Sequence, residues 1–172
     1  KFPRGVDWRG SSSPGRVEGR VIRQITVATD GPGLVEITDR LTAIVREAEL
    51  ATGICTVMIQ HTSASLTIQE NADPSARRDL HDWLGRLVPE GDAHFTHTAE
   101  GPDDMPSHIK AALTSTTLSI PVVDGELALG TWQGIYVWEH RRRGSARRCV
   151  IHVAADGAGR PRAGGSHSAR RG

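Results

Sequence analysis

The chain has 172 residues, 37% hydrophobic and 24% charged, with a formal net charge of +1, enough for one domain to bury a core without disulfide or metal support. It contains no apolar run long enough to span a bilayer and no hydrophobic opening segment, so a membrane protein and a secreted precursor are set aside and a soluble, cytoplasmic protein is expected. The charge is uneven: residues 1–18 carry four basic and two acidic groups and residues 156–172 four and one, leaving 13 basic and 17 acidic groups, net −4, over residues 19–155.

Both ends, 1–18 and 156–172, are rich in Gly, Ser, Pro and Arg and poor in apolar side chains, so they cannot offset the entropy of ordering and are expected to be flexible tails around a domain at 19–155. They lack the aromatic interleaving that single-strand binding uses, so nucleic acid is not the expected partner. Cys55 and Cys149 each sit in an apolar run, which suits buried free thiols in a reducing compartment.

From Gly19 to Thr29 apolar residues alternate, with Val21, Ile25 and Val27 on the parity of Arg23, which predicts a strand covered on one face. After the turn at Asp30–Gly33, Thr38 or Asp39 can cap a helix presenting Leu41, Ile44, Val45 and Ala48, with Gly53 placed to end it. Ile54–His61 reads as a strand whose Cys55, Val57, Ile59 and His61 share a face, so His61 closes an apolar stripe. Thr62, Ser63 and Ser65 then place hydroxyls beside the imidazole, without the Gly-x-Ser-x-Gly elbow of acyl-serine enzymes.

Leu66 and Ile68 continue an extended segment, and Asp73–Pro74 is an N-cap and first-turn pair for a helix burying Leu80, Trp83, Leu84 and Leu87. Glu70 and Asn71 lie just before that helix and have no capping account, so they stand as site candidates. The stretch from His97 to His108 is the densest in titratable groups, with two imidazoles and the carboxylates Glu100, Asp103 and Asp104. Gly101, Pro102 and Pro106 predict a loop here, with Asp104 or Ser107 capping a short helix near Pro106. Pro121 suggests an edge strand or strand end, and Asp124–Gly125 a hairpin turn. In Gly130–Gly134 two glycines flank Trp132 and Gln133, a pattern that exposes one of them beside a close backbone approach.

In the strand to His140, Gln133, Ile135, Val137 and Glu139 share one parity, and Trp132, Tyr136, Trp138 and His140 the other. Residues 141–148 read as a basic hairpin loop in which Arg141, nearest the sheet, could hold a phosphate-type anion. Cys149–Ala155 finishes the sheet. Short helices among many hairpin-linked strands predict an α+β domain with a largely antiparallel sheet.

Four segments together resemble the YjbQ-like family in order and spacing over residues 19–155: Gln60–Thr67, Glu70–Pro74, Glu100–Lys110 and Gly130–Ile135, with Glu139-His140-Arg141 adding to the match. The resemblance implies a two-layer α+β sandwich, a homotrimer with sites near subunit boundaries, and secondary thiamine-phosphate synthase activity, the joining of hydroxymethylpyrimidine diphosphate to thiazole phosphate. It implies that His61, His97 and His108 form a site for phosphate or a divalent metal, Zn or Mg, surrounded by Asp73, Glu100, Asp104, Trp132, Gln133 and Glu139. Where close relatives carry an acidic residue and then an aromatic after the loop's first histidine, this chain has Thr98 and Ala99, which can enlarge the pocket.

Three functions are weighed on this basis. The first is a transferase on a small phosphorylated substrate, with Ser63, Ser65, Asn71 and Arg141 among the binding groups and His97 or His108 handling metal or proton. The second is a metal-dependent hydrolase with Glu100 or Glu139 as base. The third is a non-catalytic phosphometabolite-binding module.

Overall fold

The computed structural model describes residues 19–156; the segments 1–18 and 157–172, which hold nearly all of both expected tails, lie outside them. Nine of these residues, Arg20–Ala28, form β1, which pairs along its whole length with β8, Ala146–Ala155. β8 also pairs with β3, Thr52–Ile59, which pairs with β5, Thr117–Val123, and β6, Glu126–Leu127, closes the edge. A second sheet has β7, Gln133–Glu139, between β2, Gly33–Glu36, and β4, Ala64–Glu70. Every pairing within these sheets is antiparallel, as the α+β reading expects.

Period-two patterning decides how the sheets stack. The register sets Val21, Val153, Cys55 and Ile120 in one row across the five-stranded sheet, and all but half-buried Val21 are buried. From the other sheet Val35, Val137 and Leu66 line up in the same way and meet them in a shared core. Helix α1, Thr38–Glu47, closes this sandwich with Leu41, Ile44 and Val45. Cys55 and Cys149 are free and buried in it, and burial pushes each thiol up to about 11. Helices α2, Pro74–Leu87, and α3, Asp104–Leu113, lie on the outer face of the three-stranded sheet. No helix among the described residues is long and apolar enough to cross a membrane.

Several local expectations change. Helix α1 ends at Ala48 and Glu49, the latter at φ 53°, five residues before Ile54. Gly53 belongs to β3, where a Cβ would stand 2.2 Å from the Ala154 carbonyl oxygen, so its role is close strand approach. Asp124 and Gly125, at φ 53° and 80°, make the expected tight turn. On α2 only Leu84 is fully buried, while Trp83 and Leu87 are exposed. The segment after β7 is not a hairpin loop: β7 and β8 lie in different sheets, so it crosses between layers. Helix α3 starts at Asp104 with Pro106 in its first turn, where a missing N–H costs nothing.

Candidate metal centre

Helix α3 turns part of the His97–His108 stretch from a loop into a scaffold. Asp104 and His108 are four residues apart, hence stacked on one helix face, and His97 reaches them from the segment before the helix. One ligand atom from each of His97, Asp104 and His108 lies within 4.8 Å of the others. His97 Nε2 is 2.8 Å from Asp104 Oδ2, and His108 Nε2 is 3.6 Å from Oδ1.

The surrounding hydrogen bonds fix what these atoms offer. His108 Nδ1 stands 2.9 Å from the Thr62 carbonyl, an acceptor only, so Nδ1 carries a proton and Nε2 is the nitrogen turned toward the carboxylate. Asp104 Oδ2 is buried and has no hydrogen-bond donor aligned with it among the described residues. The ring nitrogens of His97 and His108 thus converge on one carboxylate, and an imidazole held through its other nitrogen by a carbonyl is the usual bearing of a metal ligand.

Arg141 fixes the carboxylate. Its guanidinium pairs with Asp104 Oδ1, gives Nε to Asp103 Oδ2 at 2.9 Å and gives Nη2 to the Glu100 carbonyl at 2.9 Å. The Arg142 N–H adds a second donor to Asp103 Oδ2, at 2.9 Å. Burial acts to raise the Asp103 pKa, but these donors outweigh it and hold the carboxyl below its ordinary value. Arg141, expected as an anion binder, is therefore occupied as a positioning group. Glu100 remains exposed, its carboxylate 3.8 Å from Arg141 Nη1. Beside His97 a cleft of about 430 Å³ is lined by Phe95, Thr98, Pro102 and Met105 among others, so Thr98 does face open space.

His61 is not brought into this cluster. Its Nε2 accepts the Arg148 N–H at 2.8 Å, which uses that lone pair, and Nδ1 stands 3.4 Å from Arg147 Nη1. Burial first, then the two neighbouring arginines, hold its pKa below the ordinary histidine value. Ser63 Oγ accepts from Arg147 Nη1 at 3.2 Å. Glu139 is fully buried and paired with Arg147 inside the sandwich, which leaves no path for it to act as a base toward a substrate.

Four other candidates sit at the far end of the same sheet. Asn71 Nδ2 donates to the Gln133 carbonyl, Gln133 Oε1 accepts the Gly130 N–H, and Asp73 caps α2 by accepting the Ser75 N–H at 2.7 Å. Trp132 is 65% exposed. Seven residues of β4 separate this end from Ala64, about 20 Å, so within one chain these residues form a distinct surface. Ser65 is buried against His140, at 2.9 Å between Oγ and Nε2. Arg147, Thr29, His81 and His140 were missed as functional or network residues. Arg147 shares the parity of Cys149, Ile151 and Val153, a pattern that marks a buried arginine.

The profile described as UPF0047 protein YjbQ-like matches residues 23–156. UPF0047 protein sll1880 of Synechocystis is 47% identical over 132 residues, spanning 77% of this chain and 90% of its own. UPF0047 protein YjbQ of Escherichia coli O157:H7 is 40% identical over 135 residues, 78% of this chain and 97% of its own. Two solved structures share the fold. A YbjQ-like protein of Sulfolobus solfataricus gives a TM-score of 0.73 at 23% identity, covering 80% of this chain and 98% of that one. A YjbQ/UPF0047 protein of Clostridium acetobutylicum gives 0.64 at 34%, covering 77% and 97%.

Proposed function

This chain belongs to the UPF0047 YjbQ-like family, and we propose that it is a divalent-metal-dependent enzyme acting on a small phosphorylated substrate, with His97, Asp104 and His108 as the metal ligands. The observation that carries this reading is the convergence of His97, Asp104 and His108 ligand atoms within 4.8 Å, with His108 held through Nδ1 by the Thr62 carbonyl so that Nε2 faces the carboxylate. Two imidazoles and one carboxylate suit Zn better than Mg, which prefers oxygen donors and retained waters. A bound divalent ion supplies Lewis acidity toward a phosphoryl oxygen. The chain's own groups do the rest. Arg141 and Thr62 hold the ligand set in place, the cleft beside His97 accommodates the body of a substrate, and exposed Glu100, one residue from the cleft-lining Gly101, is the carboxylate assigned to proton exchange.

Hydrolysis of a phosphate ester and thiamine-phosphate formation are the two reactions this set accommodates. In the second, the thiazole nitrogen bonds to the pyrimidine methylene as its C–O bond to pyrophosphate breaks, and the departing anion needs cationic neighbours. The test is zinc content of the purified chain by elemental analysis, beside a folded His97→Ala/His108→Ala variant, with both assayed for thiamine phosphate and released phosphate. Near-stoichiometric metal lost in the variant, together with either activity, is expected. A wild-type chain that takes up no zinc overturns the reading.

Assembly as a homotrimer is part of this proposal. Its support is the outward face of the five-stranded sheet, where Ile22, Met58 and Val123 are 48%, 51% and 51% exposed and no described element covers them. Light scattering after size exclusion should give three times the 18.5 kDa chain mass, and Met58→Glu should lower it.

A further inference from the structure

Just past the end of β3 we infer a subsite for an oxyanion, formed by His61, Ser63 and Arg147 and fitted to the terminal oxygens of a phosphate or a carboxylate. It shares no residue with the metal centre, and its existence does not depend on metal.

Both nitrogens of the His61 ring face donors: Nε2 has the Arg148 N–H at 2.8 Å, and Nδ1 has Arg147 Nη1 at 3.4 Å. A neutral imidazole has one lone pair for the two. The shorter contact takes it, because a proton on Nε2 would drive two hydrogens together across 2.8 Å. The ring proton therefore sits on Nδ1, opposite a guanidinium N–H. Two donors thus meet with no acceptor between them among the described residues, and an oxygen seated beside the pair accepts from both.

Arg147 brings that donor from inside the fold. It is 5% exposed, and its Nε and Nη2 are taken by the Glu139 carboxylate, which leaves Nη1 as the corner turned to His61 and Ser63. Ser63 Oγ accepts from Nη1 at 3.2 Å, so the hydroxyl keeps its own proton to donate and has no acceptor for it among the described residues. Both His61 and Ser63 line a cleft of about 440 Å³, together with Thr62 and Thr116 among others, so the donors are reached from solvent. No carboxylate lines this cleft.

The donor set defines the ligand. The one lone pair of His61 is spent on the Arg148 N–H, so the ring is not a metal ligand. A neutral hydroxyl compound would bring a further proton to a place already short of acceptors. An oxyanion brings several lone pairs and no proton, and exposed Arg148, whose backbone already lies on the ring, supplies positive charge beside it.

The experiment titrates inorganic phosphate and, separately, acetate into the full chain, kept metal-free with chelator at constant ionic strength. Binding is read by calorimetry and by the ring nitrogens of His61 in 15N spectra. Saturable phosphate binding that moves the His61 Nδ1 resonance is expected, about tenfold weaker in His61→Leu and weakened in the same direction in Ser63→Ala. Circular dichroism checks that both variants fold, and Arg147 is left in place because its removal strands Glu139. His97→Ala/His108→Ala should bind phosphate as the wild type does. If acetate binds with the same dependence on His61 and Ser63, the inference stands and the subsite receives carboxylates as well. Absence of saturable binding of either anion, which leaves water between the donors, overturns it. So does affinity unchanged by both variants, or binding that is lost in His97→Ala/His108→Ala instead.

Discussion

Glu139, the last residue of β7, and His140, which follows it, face opposite ways, and their surroundings are opposites as well. Glu139 points between the two sheets, where Oε2 accepts from Thr29 Oγ1 at 2.7 Å and Arg147 Nε at 2.6 Å, and Oε1 from Arg147 Nη2 and the N–H groups of His140 and Arg141. Burial acts to raise its pKa, yet these donors hold the carboxyl below its ordinary value. His140 points into the helix layer, where one nitrogen has Ser65 and the other no partner among the described residues. A buried charge with every lone pair taken is part of the frame; a buried ring nitrogen left without a partner is the exception in a native fold. The contrast separates residues that the family resemblance groups together.

The most direct way to break the comparison is to open the closed side. Glu139→Ala leaves the Arg147 guanidinium, 6% exposed, without its partner, and about 3–5 kcal/mol of unfolding free energy should be lost in urea titration. Removing both charges with Glu139→Leu/Arg147→Met should cost clearly less than the single change, because no stranded ion remains. If the double variant falls as far as the single one, the network owes its stability to something other than charge compensation.

The open side should respond to acid. The His140 pKa is depressed from 6.5 to about 3, so the unfolded chain binds a proton that the folded one refuses. The stability this ring contributes is present above pH 6.5 and is lost as pH falls toward 3. From pH 6.5 to pH 5 the ring alone accounts for about 2 kcal/mol. His61 and His81, also held low chiefly by burial, add to the same window. The slope of unfolding free energy against pH should flatten in His140→Gln but not in Ser63→Ala, which leaves the titrating rings in place. Equal slopes in wild type and His140→Gln would place the acid sensitivity elsewhere.

The closed network was harder to read from sequence than the elements that carry it. Alternation located β1 and β3, the Asp73–Pro74 pair located the start of α2, and Asp124–Gly125 located its turn, because each rests on chemistry within a few residues. Nothing local says that β7 and β8, with only residues 140–145 between them, belong to different sheets, so the intervening arginines looked like a solvent-exposed hairpin tip. Once the chain crosses between layers, Arg141 falls onto Asp103 and Asp104, and Arg147 onto Glu139. The candidate site was legible in part: the residue types were identified, but His61 was grouped with His97 and His108 where Asp104 stands. Pro106 favoured a loop reading there, although proline is well tolerated in a first helical turn, and that turn is what stacks Asp104 under His108.

The smallest effect sharpens the comparison from a third position. Asp73 lies at the start of α2, the helix that carries His81, and its exposed carboxylate accepts the Ser75 N–H at 2.7 Å while its own N–H donates to Glu70 Oε1 at 2.8 Å. These local bonds hold its pKa below the ordinary value, led by the Ser75 backbone donor. Asp73→Ala should fray the first turn of α2 and lower the unfolding midpoint by less than the pH effect, since no buried charge is uncovered. Hydrogen exchange should quicken over residues 74–77 while the Glu139 neighbourhood stays protected. If Asp73→Asn retains the wild-type midpoint, the cap needs an acceptor oxygen and not a charge, and this acidic residue of the family motif owes its place to helix geometry.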